Sequence, residues 1–229
     1  MEKLFKQSSY NLNMKEKKRE IKAIIFDVEG VLQIAKNKTY QTKLHTNMGV
    51  HEKISKKLKI PLDNYFDYLD EDYSLSIEGK LSKSKLLSNL SKRLNYPKEK
   101  LEKIYSKAYS RRYRKNRFLL RLAEKFKKRG FKIAILSDQW HLSSPALIPE
   151  KFYKIFNPIV TSCSAGVRKP NPKIYKILLK KLKTKPEESL FIDDREWNLP
   201  PAQKFGINTI WFTGNKTLKT QIKDFGIKI

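Results

Sequence analysis

The sequence predicts an α/β fold in which a doubly wound parallel sheet carries a small helical domain inserted into it. Short apolar runs alternate with helical patterns over most of the chain, as in sheets covered by helices on both faces. The interval from Gln33 to Asn116 breaks this alternation and shows one helical pattern after another. The first observation indicates the sheet, and the second indicates the insertion.

Four apolar runs are the predicted strands of the sheet. They are AIIF (23–26), IAIL (133–136), LFI (190–192) and NTIWF (208–212). Among the helical patterns, PKIYKILLKKL (172–182) begins with proline, which is favoured at the first helical position. Another pattern, NLPPAQKF (198–205), ends at Gly206, a common C-cap residue. Such alternation of strands and helices is typical of a Rossmann-like core.

The inserted interval contains four predicted helices. They are a helix that ends near Leu58, a short helix from Pro61, SKSKLLSNLSKRL (82–94) and PKEKLEKIYSKAYSRRY (97–113). The third has leucines at the spacing of a buried helical face, namely Leu86, Leu87, Leu90 and Leu94. We therefore predict a flexible basic tail over 1–19, an α/β core over 20–34 and 117–229, and a helical insertion over 35–116.

The charge balance is strongly basic, with 50 Lys and Arg against 23 Asp and Glu and a net charge of +27. Such a charge suits a polyanionic partner such as nucleic acid. The lysines are spread along the chain, however, and no common nucleic-acid-binding motif is present. Segment 111–130 holds six arginines, but its apolar residues have helical spacing, so much of this charge would lie on a solvated helix face. Nucleic-acid binding is therefore an alternative that the sequence does not favour.

The remaining composition indicates a cytoplasmic protein. The single cysteine, Cys163, excludes an internal disulfide and suits a reducing compartment. No apolar run approaches the roughly 18 residues of a membrane span, and the first 20 residues lack the apolar region of a secretory signal. We expect no membrane partner, and the sequence does not indicate an oligomeric state.

Polar side chains follow the predicted strands, where ligands bind in open parallel sheets. They are Asp27 and Glu29 after the first run, Ser137 and Asp138 after the second, Asp193 and Asp194 after the third, and Lys169 before a predicted helix. This set suits phosphoryl transfer: an aspartate can form an aspartyl-phosphate, while a lysine and a hydroxyl hold the phosphoryl oxygens. Carboxylate oxygens suit Mg²⁺, and a second carboxyl group two residues after the nucleophile can protonate the leaving alcohol.

Four segments resemble, in order and spacing, the four motifs of the haloacid dehalogenase (HAD) superfamily. They are FDVEGVL, ILSD, RKPNPKIY and FIDDREWN. The helical insertion lies where members of that superfamily carry a C1-type cap. The sequence is similar to the branch that contains sugar-1-phosphate phosphatases and the phosphatase domain of soluble epoxide hydrolases.

The resemblance implies a role for each residue that matches a motif. It makes Asp27 the nucleophile and a Mg²⁺ ligand, Glu29 a backbone ligand and general acid–base, and Ser137 and Lys169 the phosphoryl-binding pair. Asp194 becomes a direct metal ligand, and its neighbour Asp193 belongs to the metal site without direct contact or through a water molecule. The implied function is a Mg²⁺-dependent phosphatase acting on a small phosphorylated metabolite such as a sugar phosphate. A phosphomutase and a non-catalytic module that binds nucleic acid are the alternatives.

Two positions depart from the family pattern, and one further contact is expected from the insertion. Glu29 stands where the family usually has Asp, so its longer side chain must fold back to reach the leaving oxygen. Asp138 stands where this branch more often has Asn, and its charge would repel a phosphate unless a cation or a basic substrate offsets it. In EGKLSKSKLL (78–87), Lys80 and Lys83 are candidate contacts for an anionic substrate group.

Overall fold

A computed structural model describes residues 20–36 and 48–229, so the predicted tail over 1–19 lies outside the described residues. The strands are β1 (Ala23–Phe26), β2 (Gln33–Ala35), β3 (Tyr113–Lys115), β4 (Lys132–Ser137), β5 (Ile159–Thr161), β6 (Ser189–Asp193) and β7 (Asn208–Trp211). The helices in this part of the chain are α1 (Met48–Leu58), α2 (Leu62–Ile77), α3 (Lys83–Arg93), α4 (Lys98–Arg112), α5 (Arg117–Lys128), α6 (Ser144–Leu147), α7 (Phe152–Ile155), α8 (Ser162–Ala165), α9 (Pro172–Leu182), α10 (Leu199–Lys204) and α11 (Asn215–Gln221). Across the described ranges, none of these helices has the length and apolar character needed to cross a membrane.

Five parallel strands form the main sheet in the order β5-β4-β1-β6-β7, which confirms the doubly wound α/β fold. The four predicted runs coincide with β1, β4, β6 and β7. The edge strand β5 is not predicted, because its three residues are too few to give a periodic signal. The central strand β1 is fully buried and pairs with β4 and β6, so its carboxyl end lies in the middle of the sheet edge.

Helices cover both faces of the sheet. Ile25 of β1 packs in a cluster with residues of α9 and α10, whereas Ile24 and Phe26 pack in a second cluster with residues of α5 and α11. Successive side chains of a strand point to opposite faces, so a strand buried on both faces has no polar positions. This accounts for the uninterrupted apolar run AIIF at 23–26.

Helices α1 to α4 lie between β2 and β3, which pair with each other as an antiparallel ribbon. We did not predict this ribbon; its two strands are three residues each and far apart in sequence. The prediction of a short helix from Pro61 is wrong, since α2 has 16 residues. Its buried face includes Asp72, which accepts hydrogen bonds from Asn89 and Arg93, so the helix lacks a continuous apolar stripe. The predicted leucine face of α3 is buried, as expected.

A buried polar chain runs through the helical insertion. His51 Nδ1 lies 3.1 Å from the hydroxyl of Tyr65, which lies 2.6 Å from the hydroxyl of Tyr105. Only 5% of His51 is exposed, and burial lowers its pKa to about 4. His51 is therefore neutral in the folded protein at neutral pH and must bind a proton in the unfolded chain as the pH falls below about 6.5.

Acidification is expected to destabilise the protein through His51. Because the folded-state pKa lies below the unfolded value, the contribution of His51 is present above about pH 6.5 and is lost as the pH falls toward 4. We expect wild type to lose about 2 to 3 kcal/mol more unfolding free energy than His51→Gln over that range. Urea unfolding at several pH values measures the difference, with His141→Gln as the control. Parallel pH curves for wild type and His51→Gln would contradict this prediction.

Candidate active site

Asp27 and Glu29 directly follow the central strand. The backbone N–H of Asp27 donates to the carbonyl of Ile192 in β6 at 2.9 Å, which extends the pairing one residue beyond β1. Only 4% of Asp27 and 9% of Glu29 is exposed. Buried carboxylates require cations or hydrogen bonds that offset their charge.

Lys169 supplies a buried positive charge at this edge of the sheet. Its ammonium donates a hydrogen bond to Oδ2 of Asp193 at 2.6 Å and lies 3.1 Å from Oδ1 of Asp27, at ion-pair distance but without hydrogen-bond geometry. Burial by itself would lower the pKa of Lys169, but the charges of Asp193 and Asp27 raise it well above the ordinary value. Lys169 is therefore cationic at neutral pH and offsets both carboxylates.

Asp193 is fully buried, and both of its carboxylate oxygens accept hydrogen bonds. Besides Lys169, its donors are the backbone N–H of Arg195 at 2.8 Å and the side-chain amide of Asn198 at 3.0 and 3.2 Å. Burial raises the pKa of Asp193, and the ammonium of Lys169 opposes that rise. The bonds fix the Asp193 carboxylate and, through it, the position of the lysine.

Asp194 differs from its neighbour, because its Oδ1 is buried without a hydrogen-bond partner among the described residues. Burial and the charges of Asp27 and Asp193 raise its pKa. Its carboxylate lies against Gly30, which has a φ of +80°, and a Cβ at Gly30 would overlap that carboxylate. Glycine is required here both by this backbone conformation and by the close approach of the side chain.

Asp27, Asp193 and Asp194 form a group that fits a metal ion. One carboxylate oxygen from each lies within 4.8 Å of the others. Oxygen donors of this kind suit a hard cation such as Mg²⁺. Among residues 20–36 and 48–229, Oδ1 of Asp194 has no hydrogen-bond partner, which agrees with a position that a cation completes. Since both oxygens of Asp193 are already bonded, Asp27 and Asp194 are better placed as direct ligands.

Ser137 and Asp138 lie at the end of β4. The hydroxyl of Ser137 is buried and accepts a hydrogen bond from the side-chain amide of Gln139 at 3.1 Å. Asp138 accepts a hydrogen bond from the backbone N–H of Lys169 at 2.9 Å and lies 3.6 Å from the guanidinium of Arg168. The guanidinium of Arg168 and the backbone N–H of Lys169 offset the negative charge of Asp138. The same contacts connect Asp138 to the loop that carries Lys169.

The Glu29 carboxylate contacts a residue that the sequence analysis did not select. The hydroxyl of Tyr113 in β3 donates to Oε2 of Glu29 at 3.1 Å. Burial first, and then the charge of Glu29, raises the pKa of Tyr113, so its hydroxyl stays protonated. Tyr113 is 84 residues from Glu29 in the chain, and no local pattern connects the two positions.

Arg195 is a second residue that the sequence analysis did not select. Burial would lower the pKa of its guanidinium, but the charges of Glu29 and Asp27 raise it above the ordinary value. The guanidinium also lies over the ring of Trp197, 5.6 Å from its centroid. Its place directly after the acidic pair is the signal that could have identified it.

The helical insertion contributes Tyr73 of α2 to this region. Burial raises the pKa of Tyr73 to about 12, and the negative charge of Glu29 adds to the rise. Its ring lies 5.0 Å from that of Trp140, which follows β4. The insertion therefore reaches the carboxyl end of the sheet.

A cavity of about 540 Å³ lies beside the lysine loop. Its lining includes Lys80 of the insertion, Arg168 and Lys169 before α9, and Trp197 after β6. The lining does not include Lys83, which instead pairs with Glu102 of α4 at 2.5 Å. The predicted contact of Lys83 with substrate stays a prediction, and Lys80 is the insertion lysine at this cavity.

The basic segment 111–130 spans the end of α4, β3 and α5. Its arginines are exposed at Arg111, Arg114, Arg117 and Arg121, whereas Arg112 is buried and Arg129 lies over the rings of Phe126 and Phe131. The predicted apolar stripe of α5 is buried against the sheet at Leu119, Leu122 and Phe126, with Phe118 partly buried. Much of the charge is a solvated helix face, and nucleic-acid binding stays an alternative that is not favoured.

The profile of the haloacid dehalogenase-like hydrolases matches residues 21–206, most of the chain and all of the site. The chain belongs to this family. Bifunctional epoxide hydrolase 2 of Mus musculus is 33% identical over 176 residues, which are 75% of this chain and 29% of that protein. The chain thus spans less than a third of the length of this relative. Glyceraldehyde 3-phosphate phosphatase of Pyrococcus furiosus is 35% identical over 104 residues, 43% of this chain and 40% of that protein.

Solved structures of HAD proteins share the fold. A HAD family enzyme from Bacteroides thetaiotaomicron, solved as a magnesium complex, gives a TM-score of 0.70 at 18% identity and covers 90% of this chain and all of its own. A HAD-like family hydrolase from Porphyromonas gingivalis gives a TM-score of 0.68 at 19% identity. The match covers 92% of this chain and all of that one. Both share the predicted α/β fold.

Proposed function

We propose that the protein is a Mg²⁺-dependent phosphatase that hydrolyses a small phosphorylated metabolite through an aspartyl-phosphate on Asp27. The observation that carries the proposal is the group of three carboxylates with the buried ammonium of Lys169 between two of them. A nucleophilic aspartate can act without further carboxylates beside it. A cation site, in contrast, requires several carboxylate oxygens close together. The combination of cation ligands, lysine and strand-end serine is suited to a dianionic phosphoryl group.

In the first step, a carboxylate oxygen of Asp27 attacks phosphorus, and the bond from phosphorus to the leaving oxygen breaks. Glu29 donates a proton to that leaving oxygen, so the product departs as an alcohol. Ser137 and Lys169 bind the phosphoryl oxygens and stabilise the charge that builds on them. A bound Mg²⁺, held by Asp27 and Asp194 with the Glu29 carbonyl, would neutralise negative charge on the phosphoryl group.

In the second step, water attacks the phosphorus of the aspartyl-phosphate. Glu29, now ionised, accepts a proton from this water, and the bond between phosphorus and the Asp27 oxygen breaks. Inorganic phosphate leaves, and both carboxyl groups return to their starting states. Lys169 remains cationic throughout, because the charges of Asp193 and Asp27 hold its pKa well above the ordinary value.

We propose further that 20–34 and 117–229 form the catalytic core and that the insertion over 35–116 is a cap that shapes the substrate site. The packing of Tyr73 of the insertion against Trp140, which follows β4 of the core, supports this assignment. The cavity is lined by Arg168, Trp197 and the ion pair of Lys80 with Glu78, which suits a substrate that carries a polar or flat group next to the phosphate. The single cysteine is a free thiol, in agreement with a cytoplasmic protein.

A phosphate-release screen tests the proposal. Sugar phosphates, nucleotides and p-nitrophenyl phosphate are each incubated with the protein, with Mg²⁺ and with a chelator. We expect phosphate release that depends on Mg²⁺, with at least one small metabolite turned over faster than the aryl phosphate. Transfer of phosphate to another position of the substrate, without net release, would identify a phosphomutase instead. Equal rates with Mg²⁺ and chelator would contradict the metal-dependent mechanism.

Asp194→Asn is expected to raise the Mg²⁺ concentration needed for half-maximal activity by more than about tenfold, because an amide is a weaker ligand than a carboxylate. The variant should also lose the increase in Tm that Mg²⁺ gives to wild type, a readout that does not require turnover. The control is Asp224→Asn, a change in the turn after α11. An unchanged metal dependence in Asp194→Asn would remove Asp194 from the ligands.

A further inference from the structure

We propose that Tyr113 is a positioning residue that holds the carboxyl group of Glu29 where it can exchange a proton with the leaving oxygen. The inference rests on the proposed function, because it concerns the general acid of that reaction. It adds a residue outside the four motif segments, contributed by the ribbon that joins the insertion to the core.

The hydrogen bond between the two residues is buried. The Tyr113 hydroxyl donates to Oε2 of Glu29 at 3.1 Å, and only 5% of Tyr113 and 9% of Glu29 is exposed. Water has little access to a bond at this depth, so the bond restricts the carboxylate more than an exposed one would. The bond engages Oε2 of the Glu29 carboxyl group.

The tyrosine ring is itself held in place from two sides. Its backbone pairs with Ala35 across the β2–β3 ribbon, and its ring stacks on Tyr109 with centroids 6.4 Å apart and an interplanar angle of 18°. The Tyr109 hydroxyl in turn accepts a hydrogen bond from Nε1 of Trp140 at 2.9 Å. Trp140 lies three positions after Ser137, so these contacts connect the Glu29 partner to the β4 end of the site.

The length of Glu29 explains why such a partner is needed. Glutamate has one more rotatable bond than aspartate, so its carboxyl group samples more positions and loses more side-chain entropy when one is selected. A fixed hydrogen-bond donor lowers that loss by removing the competing rotamers in advance. The shorter side chain of an aspartate at the same position would not extend as far from the backbone and would gain less from Tyr113.

The first experiment compares Tyr113→Phe with wild type on two substrates, β-glycerophosphate and p-nitrophenyl phosphate, in Mg²⁺. We expect kcat for the alkyl phosphate to fall about tenfold, which corresponds to about 1.4 kcal/mol, with KM nearly unchanged. The kcat for the aryl phosphate should fall less than about twofold, because its leaving group needs little protonation. The control is Tyr105→Phe, which removes a buried hydroxyl bonded to Tyr65 and should not distinguish the substrates.

The second experiment places the same change in a Glu29→Asp background. If Tyr113 acts by restricting the longer side chain, Tyr113→Phe should change kcat for the alkyl phosphate less than about twofold there. A merely structural role would give the same loss in both backgrounds. An equal loss with the two substrates, or the same loss in the Glu29→Asp background, would overturn the inference.

Crystal structures of wild type and Tyr113→Phe give a readout that does not depend on turnover. We expect the Glu29 carboxyl group to be ordered in wild type and to occupy other rotamers in the variant. An unchanged Glu29 side chain in Tyr113→Phe would overturn the inference even if the protein is a phosphatase. Absence of phosphate release by wild type would instead overturn the proposed function, and the positioning role with it.

Discussion

Asp27→Asn is expected to reduce phosphate release on the order of 10⁴-fold or more, since removal of a catalytic nucleophile has effects of this size. The amide oxygen cannot form the aspartyl-phosphate, although the side chain keeps its volume. Stability should change little, because the substitution also removes a negative charge that raises the pKa of Asp193 and Asp194. The measurements are kcat with p-nitrophenyl phosphate and Tm. The matched control is Asp224→Asn, which removes a carboxylate in the turn after α11.

A variant that retained activity within about tenfold of wild type would exclude Asp27 as the nucleophile. A variant that lost both activity and its cooperative unfolding transition would show that Asp27 has mainly a structural role. The prediction therefore requires loss of turnover and a retained fold in the same preparation.

Lys169→Met is expected to have the second largest effect, on both activity and stability. Methionine fills a similar volume but removes the cation that lies 2.6 Å from Asp193 and 3.1 Å from Asp27. Leaving buried carboxylates without their partner costs about 3 to 5 kcal/mol. We expect phosphate release to fall at least about 10²-fold, because the variant cannot bind the phosphoryl oxygens through an ammonium.

The loss of stability in Lys169→Met is expected to depend on pH in a defined direction. Burial raises the pKa of Asp193 and Asp194 already in wild type, and loss of the lysine raises both further. A carboxyl group whose pKa is raised in the folded state lowers the unfolding free energy as the pH rises toward that pKa. The lost unfolding free energy is regained when the pH falls again. The stability deficit of the variant should therefore shrink between about pH 7 and pH 5. The exposed-lysine variant Lys173→Met is the control, and a deficit that did not change with pH would contradict the assignment of charges.

The core of the site follows from the sequence because one physical rule places it. Asp27, Asp193 and Ser137 end or directly follow strands, and parallel strands bring their carboxyl ends to one edge of the sheet. Lys169 precedes a proline and a helix start, a position that the motif resemblance identifies. No tertiary contact had to be known to bring these residues together.

The partners of Glu29 could not be predicted in this way. Tyr113 reaches Glu29 only because β2 and β3 pair across an insertion, and strands of three residues give no signal in sequence. The charge of Lys83 suggested a substrate contact, which stays a prediction, and its pairing with Glu102 could not be inferred from sequence. Side chains that depend on how the insertion meets the core require the structure.

One trapping measurement tests the covalent step most directly. The variant Glu29→Gln is mixed with Mg²⁺ and p-nitrophenyl phosphate radiolabelled at phosphorus, quenched in acid, digested and mapped. The aryl leaving group needs little protonation, so the first step proceeds, while loss of the general base slows the second. We expect about one label per chain on the peptide that contains Asp27, released by hydroxylamine as for an acyl phosphate, and none after a further Asp27→Asn change. Wild-type phosphate release with no label in Glu29→Gln, or label that persists after Asp27→Asn, would contradict this expectation.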